Sequence, residues 1–532
     1  MSRGLDPVTL QVLVGGMRAV CEEMGAVLVR SAHSANIKER RDASTALFDS
    51  EGAMVMQAEH IPVHLGAMPD AVAAVLAEEH QPGDVWVLND PYRGGTHLPD
   101  ITAVSPLFLG DRLAGFAAAR AHHADVGGEV PGSMPARSTR LDQEGVVIPP
   151  TRIAQSWEMD RALLGSLIGA MRGPRQREAD LRAQLAANRL AGSRLEQLAE
   201  RHGEALLADA MDEVLDYAER RTRRAIATIP DGTYRAADVL EDDGRDKSRD
   251  LLVRCSVTVE GDAIEVDFTG TASQVDGNLN CPLSVTKSAA YFVVRVLTDP
   301  DIPPCAGAYR PVTVTAPQGS LVNALAPAAV AGGNVETSSR IADVVMSALG
   351  EAMDVPALGQ GTMNNVTLGN EDFTYYETTG GGQGACPDAP GPSAVHVAMS
   401  NTLNTPIEAL EIEFPLRAIE YALRRGSGGA GRHPGGDGVV RELEALAQMR
   451  FSLLTERRRH SPPGARGGAP GAAGKNLLTP GGAEPVALAS KAEGVLHPGD
   501  RLRIETPGGG GHGAPPAATR RSVKDAGRPG NE

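Results

Sequence analysis

The sequence predicts a mixed α+β chain built from several subdomains: an N-terminal helix and metal-loop region, a helical segment, and a β-rich, glycine-containing C-terminal half. Three observations predict it. Apolar residues in 8–29 recur close to a 3.6-residue period, residues 157–229 are strongly helical, and from residue 233 the pattern changes to strict alternation. At 532 residues with 42% apolar side chains, the chain is long enough to bury a large core in more than one subdomain. Its expected organisation is a metal-site and helical region over 1–229, a mixed β/α region over 230–430 and a glycine-rich region over 431–513. A tail over 514–532, rich in small and charged residues, is expected to be disordered.

The first helix rests on Leu10, Leu13, Val14, Met17, Val20, Met24, Val27 and Leu28, with Pro7 suited to its first turn. Residues 44–48 and 53–57 flank Asp49-Ser50-Glu51-Gly52, a hairpin signature. Residues 85–88 read as a short strand entering a loop at 89–100, and residues 113–121 as a strand running into His122 and His123. In the helical segment Leu207, Met211, Val214, Leu215 and Ala218 form one apolar stripe, and Pro230-Asp231-Gly232 ends it. Alternation such as Ile264-Glu265-Val266-Asp267-Phe268 makes residues 233–314 sheet, and residues 337–353 return to helix. The glycine-rich stretches that follow have no fixed period, which excludes a solenoid or a collagen repeat.

Bulk charge excludes several function classes. With 51 basic and 67 acidic residues the formal charge is −16, and the basic clusters at 220–224 and 457–459 are short, so nucleic acid and anionic membrane are not expected partners. No apolar run approaches the roughly 18 residues that span a bilayer, and no apolar stretch follows Met1, so a cytosolic protein is expected. The five cysteines (21, 255, 281, 305 and 386) are scattered and contain no CxxC, the pattern of buried reduced thiols.

The chemistry concentrates in Asn89-Asp90-Pro91-Tyr92-Arg93-Gly94-Gly95-Thr96-His97-Leu98-Pro99-Asp100 and in His122-His123-Ala124-Asp125. Two prolines and a glycine pair keep the first segment out of a helix, so His97 and Asp100 belong to a loop. Imidazole and carboxylate together suit Zn, Mn or Fe rather than copper. Only one of His122 and His123 can face such a site if the strand reaches them. Face-sharing pairs His123 with Asp125 and His122 with Ala124, and the residues alone do not choose. The segment Lys38-Glu39-Arg40-Arg41-Asp42 reads as a solvated charged turn. Residues 380–384 are followed by no Lys-Ser/Thr and no GxGxxG occurs between a strand and a helix. Close backbone packing beside Glu377 therefore explains these glycines better than a phosphate cradle. Neither HExxH nor GxSxG occurs in a usable context.

Taken together, Asn36-Ile37-Lys38-Glu39-Arg40-Arg41-Asp42, the 89–100 segment, His122-His123-Ala124-Asp125-Val126-Gly127-Gly128, Gln143-Glu144-Gly145, Asp267-Phe268-Thr269-Gly270-Thr271, Glu377-Thr378-Thr379-Gly380-Gly381-Gly382 and Ser400-Asn401-Thr402 resemble the hydantoinase B/oxoprolinase family over nearly the whole chain. That family includes B-type subunits of ATP-dependent N-methylhydantoinases and related regions of 5-oxoprolinases and acetone-type carboxylases. The resemblance implies metal ligands at Asp42, His97, Asp100 and His122, and so favours His122 over His123. It implies a divalent transition metal here, with ATP and Mg bound by an A-type partner subunit of actin-like ATPase fold that activates the substrate. The implied activity is opening of a hydantoin or 5-oxoproline-type lactam, a C–N hydrolase reaction, with Asp90, His123 or Glu144 as candidate base. An acetone- or acetophenone-type carboxylase subunit is the alternative, ranked second because such chains are longer. A non-catalytic scaffold is the third reading, and an intact set of four ligand residues argues against it. The sequence departs from the family at Cys305-Ala306-Gly307, where Asn-x-Gly is usual, and around His433 and residues 462–471.

Overall fold

The structure is a computed structural model and describes residues 5–59 and 61–515. Asp6 caps helix α1 (Pro7–Ser31), accepting from the backbone N–H groups of Val8 and Thr9 at 3.0 and 3.1 Å, with Pro7 in the first turn. A short helix α2 (Ala35–Lys38) leads into the expected hairpin, β1 (Ala43–Asp49) and β2 (Met54–Glu59), whose turn is held by Asp49 accepting from the N–H groups of Glu51 and Ala53. Helix α3 (Met68–Ala73) precedes β3 (Val85–Leu88), β4 (Asp100–Leu109), β5 (Arg112–His122), β6 (Thr151–Gln155) and β7 (Glu158–Met159). These strands form one antiparallel sheet in the order β2-β1-β5-β4-β3-β6-β7. The helical segment follows as α4 (Arg161–Ile168), α5 (Pro174–His202) and α6 (Glu204–Ile226), broken at Gly173 and Gly203, both with positive φ.

The two-residue period of β5 sorts its side chains between two cores. Ala117, Ala119 and Ala121 pack under Leu13, Met17 and Met24 of α1 and Ala187 and Leu195 of α5. Phe116 and Ala118 face the other way, against Ala46, Phe48, Trp86 and Val104 and the apolar side of α3. Small residues on the helix side let two long helices lie close to the sheet.

In the second half, β8 (Gly232–Leu240), β9 (Leu251–Glu260) and β10 (Ala263–Asp267) precede helix α7 (Leu283–Leu297) and β11 (Val312–Thr315). The sheet order is β11-β10-β9-β8, with only β10 and β11 parallel. Residues 233–314 are therefore not sheet throughout. The run containing Val285, Ala289, Ala290, Val293 and Val294 is apolar enough to read as either element, and its positions four apart bury one helical face in the core beside Val253 and Val257.

Helix α8 (Ser338–Leu349) follows a π turn at Gly333–Thr337, and then come β12 (Asn365–Gly369), β13 (Thr374–Glu377), α9 (Ile407–Glu413), β14 (Leu416–Arg424), β15 (Gly438–Ala445), β16 (Met449–Leu454), β17 (Lys475–Thr479), β18 (Val486–Leu488), β19 (Lys491–Leu496) and β20 (Arg501–Glu505). They make two further sheets, β13-β12-β16-β19 and β14-β15-β20-β17-β18, each drawing strands from both sides of residue 430. The chain is thus a mixed α+β protein, its described residues forming four sheets with flanking helices. No helix among the described residues is long and apolar enough to cross a membrane.

Between these strands the glycine-rich stretches run side by side, joined laterally by backbone hydrogen bonds. Gly436 N–H donates to Gln383 O, Gly509 N–H to Gly436 O and Gly429 N–H to Gly509 O, at 2.8 to 2.9 Å. A Cβ at Gly382 would lie 2.0 Å from Gly436 O and 2.2 Å from Gly509 N, so the close approach itself demands glycine. Of the tail expected at 514–532, residues 516–532 lie outside the described residues.

Candidate metal centre

Register builds the site. Asp100, the first residue of β4, is the cross-strand partner of His122, the last residue of β5. On the other side of β5, Ala43 of β1 pairs with Ala121, and His122 N–H donates to Asp42 O at 3.1 Å. Asp42, His122 and Asp100 therefore stand in a row across three adjacent strands. His97 enters from the loop before β4, where Asp100 N–H donates to His97 O at 3.1 Å. Asn89 fixes that loop: its Nδ2 donates to Leu98 O and Val146 O, and its Oδ1 accepts from Ile148 N–H. Gly95 closes it, since a Cβ there would lie 2.3 Å from Asn89 O.

Residues far along the chain roof this row. Tyr376 of β13 stacks on the His122 ring, centroids 4.6 Å apart and planes 3° from parallel. Arg40, fully buried, donates to Tyr376 O and Thr378 Oγ1 at 2.8 Å and to Thr402 Oγ1 at 3.3 Å. The segment expected to be a solvated turn is solvated only in part. Lys38 and Arg41 are exposed, whereas Arg40 is at 0% and Asp42 at 6%, because both are needed under the roof. The cavity, about 20 Å³, is lined by Asp42, His64, His97, Asp100 and His122 on the sheet side and by Asn334, Tyr376, Ser400 and Thr402 among the roof residues. It has room for one ion or one water.

Ligand atoms of His97, Asp100 and His122 all lie within 4.8 Å of one another, and Asp42 lines the same cavity without belonging to that group. Burial would raise the Asp100 carboxyl, but the imidazoles of His97 and His64 outweigh it and hold it well below the usual carboxylate range. Burial, the neighbouring His97 and Arg40 keep His122 neutral, its pKa well below that of a free imidazole. Burial raises the Asp42 carboxyl, reinforced by Asp100 and opposed first by Arg40. An ionised carboxylate beside a neutral imidazole is the protonation state metal ligation needs. Both ring nitrogens of His97, Nε2 of His122 and Oδ1 of Asp100 are buried without a hydrogen-bond partner, although His97 Nε2 lies 3.2 Å from Asp100 Oδ1. Buried polar atoms left over in one place cost about 1–3 kcal/mol each unless something engages them, so these residues fit a divalent metal.

The three candidate bases do not line this cavity. His123 follows the parity of Ala119 and Ala121 toward the helices, its Nε2 3.0 Å from Gln184 Oε1 of α5. Asp90 accepts from Tyr92 N–H at the turn of the loop. Glu144 is buried, accepting from Ser138 Oγ and the N–H groups of Val330 and Ala331. Asp125 binds its own loop, accepting from Gly127 and Gly132 N–H. The sequence pattern assigned no role to His64, whose Nε2 lies 3.4 Å from Asp100 Oδ2 and whose Nδ1 pairs with Ser44 Oγ at 2.9 Å. It likewise gave none to Asn36, Tyr376, Ser400 or Thr402. The positions of Asn36, Ser400 and Thr402 inside long motifs were the available signal; His64 offered none.

This arrangement can be set beside known proteins. The family model described as hydantoinase B/oxoprolinase matches residues 6–515. An uncharacterised protein of Methanocaldococcus jannaschii is 38% identical, covering 96% of this chain and 91% of that one. The 5-oxoprolinase 1 of Arabidopsis thaliana is 37% identical over 96% of this chain, which spans only 42% of that protein's length. Among solved structures, the ATP-dependent caprolactamase from Pseudomonas jessenii superposes with a TM-score of 0.90 at 28% identity, over 97% of this chain and 93% of that one. With the family model spanning almost every described residue and a relative of matching length, this chain belongs to the hydantoinase B/oxoprolinase family.

Proposed function

We propose that this chain is the B-type subunit of an ATP-dependent cyclic amidase, opening a hydantoin or 5-oxoproline-type lactam at a metal held by Asp42, His97, Asp100 and His122. The observation that carries the reading is the cavity itself: three ligand atoms gathered within 4.8 Å, buried and otherwise unpartnered, beside a fourth candidate ligand, the Asp42 carboxyl. Membership of a family whose named relatives include a 5-oxoprolinase and an ATP-dependent caprolactamase supports the reaction class. The chain contains no Walker-type phosphate loop, and it spans under half of the Arabidopsis relative. The missing phosphate loop favours ATP and Mg being bound outside these residues, by an A-type ATPase.

A five-membered lactam resists water near neutral pH, so the partner's use of ATP supplies the activation of its oxygen. A divalent Zn, Mn or Fe would add Lewis acidity, polarising the amide and making water a better nucleophile. This chain's own residues do the rest. Asp100 stays anionic, ready to donate lone pairs, and His122 neutral, able to ligate through Nε2 once its proton shifts to Nδ1, while Arg40 and Tyr376 pack over them in the roof.

Reconstitution tests the reading. The complex with its partner, ATP and Mg²⁺ should open a lactam or hydantoin to the linear acid, and the isolated chain should not turn over ATP. Lactams, hydantoins and small ketones, the last with labelled bicarbonate, are followed for product. Label fixed into a ketone-derived acid with no ring opened would replace the amidase by a carboxylase.

A further inference from the structure

One side-chain cluster in the cavity wall is not accounted for by metal ligation. Ser400, 4% exposed, lines the cavity opposite the ligand row, and its Oγ is hydrogen-bonded to Nδ1 of His396. The far nitrogen of that ring, Nε2, lies 3.4 Å from Thr402 Oγ1, which is 2.7 Å from Thr378 Oγ1. Arg40 Nη2 donates to both threonine hydroxyls, at 2.8 Å to Thr378 and 3.3 Å to Thr402. Arg40 can only donate, so each threonine oxygen accepts from it. Two sets of directions then satisfy every group. In one, Thr378 donates to Thr402, Thr402 to His396 Nε2, and His396 Nδ1–H to Ser400 Oγ. The relay uses the other, in which Thr402 accepts from His396 Nε2–H and passes its own proton toward Thr378. The ring is then the Nε2–H tautomer, with the Nδ1 lone pair free to accept from the Ser400 hydroxyl.

We infer that Ser400 and His396 are the proton-accepting pair of the ring-opening reaction, Ser400 meeting the nucleophile and His396 acting through it. The inference rests on the amidase reading. In the forward step a water O–C bond forms at the activated amide carbon. The water's proton moves to Ser400 Oγ, while the Ser400 hydroxyl proton moves to His396 Nδ1. When the ring C–N bond breaks, its electron pair stays on nitrogen and the same two atoms run in reverse and place that proton there, so serine and histidine end unchanged. The remaining hydroxyl proton passes to solvent, and the acyl phosphate left by the partner's activation of the amide oxygen is hydrolysed by a second water to the linear acid and inorganic phosphate. Burial and the nearby Arg40 lower the His396 pKa to about 4. The ring is thus neutral and accepting before the reaction, and a proton on it is quickly given up to a more basic amine. Among the described residues no carboxylate is bonded to the ring to stabilise an imidazolium, which separates this pair from a serine-protease triad and fits a relay rather than a resident base.

The test uses the complex with the ATPase partner. Ser400→Ala and His396→Ala should each lower kcat on the order of 10²- to 10⁴-fold, with KM, bound metal and ATP turnover in the absence of ring substrate unchanged. Imidazole added to His396→Ala should restore a concentration-dependent part of the rate, a rescue that a loop-bracing histidine would not give. Nitrogen-15 NMR of the isolated chain reads the tautomer independently of activity: His396 Nδ1 should be unprotonated and should shift in Ser400→Ala. A wild-type complex that opens the ring, loses activity in Asp100→Ala and keeps it within about twofold in Ser400→Ala would overturn the pair and leave the amidase reading standing. So would a proton found on Nδ1. A wild-type complex that opens no ring would overturn both together.

Discussion

Asn36 Nδ2 stands 3.1 Å from Nδ1 of His122, on the side of the ring away from the cavity. Asn36 is buried on α2, and its amide sets which nitrogen of His122 carries the proton. With Nδ2 donating to Nδ1, the neutral ring keeps its proton on Nε2, the atom that faces the cavity unpartnered. Ligation through Nε2 moves the proton to Nδ1 and turns the amide so that Oδ1 accepts it. Asn36→Leu should therefore weaken metal binding by about 10–100-fold, whereas Asn36→Asp, still an acceptor, should stay within a few-fold. A metal titration of the purified variants reads the difference, and equal affinity for wild type and Asn36→Leu would refute the role.

Glu144 couples folding to pH. Burial raises its carboxyl from 4.5 to about 7, against the hydrogen bonds from Ala331, Val330 and Ser138. A folded-state pKa above the unfolded one means that the native state binds the proton more tightly. Its contribution is complete below about pH 4.5 and is lost as pH rises toward 7. Glu336 and Asp343, also raised by burial, to about 8 and about 7, act in the same direction. Glu144→Gln should make the decline of unfolding free energy between pH 5 and 7 shallower by up to about 1.4 kcal/mol per pH unit. Denaturant melts at pH 5, 6 and 7 test it, and an unchanged slope would show that this carboxyl titrates normally.

Backbone contact in the glycine-rich layer predicts a contrast. Gly382→Ala pushes a methyl into Gly436 O and Gly509 N and should cost about 3 kcal/mol or more. Gly426 has φ +78° but nothing within 4 Å of where a methyl would sit, so Gly426→Ala should cost only about 1 kcal/mol, the left-handed backbone alone. Thermal denaturation of the two variants compares them directly, and similar melting temperatures would mean that the layer does not depend on close approach.

What the sequence could reveal here follows from the range of each physical signal. Periodicity is local, so α1, the β1–β2 hairpin, β3 and the strand running into His122 are legible, whereas β4, which begins at Asp100, is not read from the sequence. Parity along β5 limits the site to one histidine of the pair, yet choosing His122 needs the pairing of Asp42 with the strand end, a contact between distant parts of the chain that no local pattern carries. Charge density misleads at residues 38–42 because a buried Arg40 satisfied by Tyr376 and Thr378 looks in sequence like any surface arginine. Helix α7 is hidden because an apolar run buried on most sides loses the contrast between alternation and helical period. His64 and His396 are isolated histidines in unremarkable segments, and only the fold brings His64 to the cavity and His396 to Ser400 in its wall.

Whether Asp42, His97, Asp100 and His122 hold one metal ion in this cavity decides the rest, and elemental analysis of the purified chain answers it. About one divalent transition metal per chain is expected in the wild type, since two imidazoles and two carboxylates make a full ligand set. That metal should be lost in His97→Ala, Asp100→Ala and His122→Ala, and retained in His123→Ala, whose ring faces Gln184. Metal content unchanged in both His97→Ala and Asp100→Ala would refute the assignment.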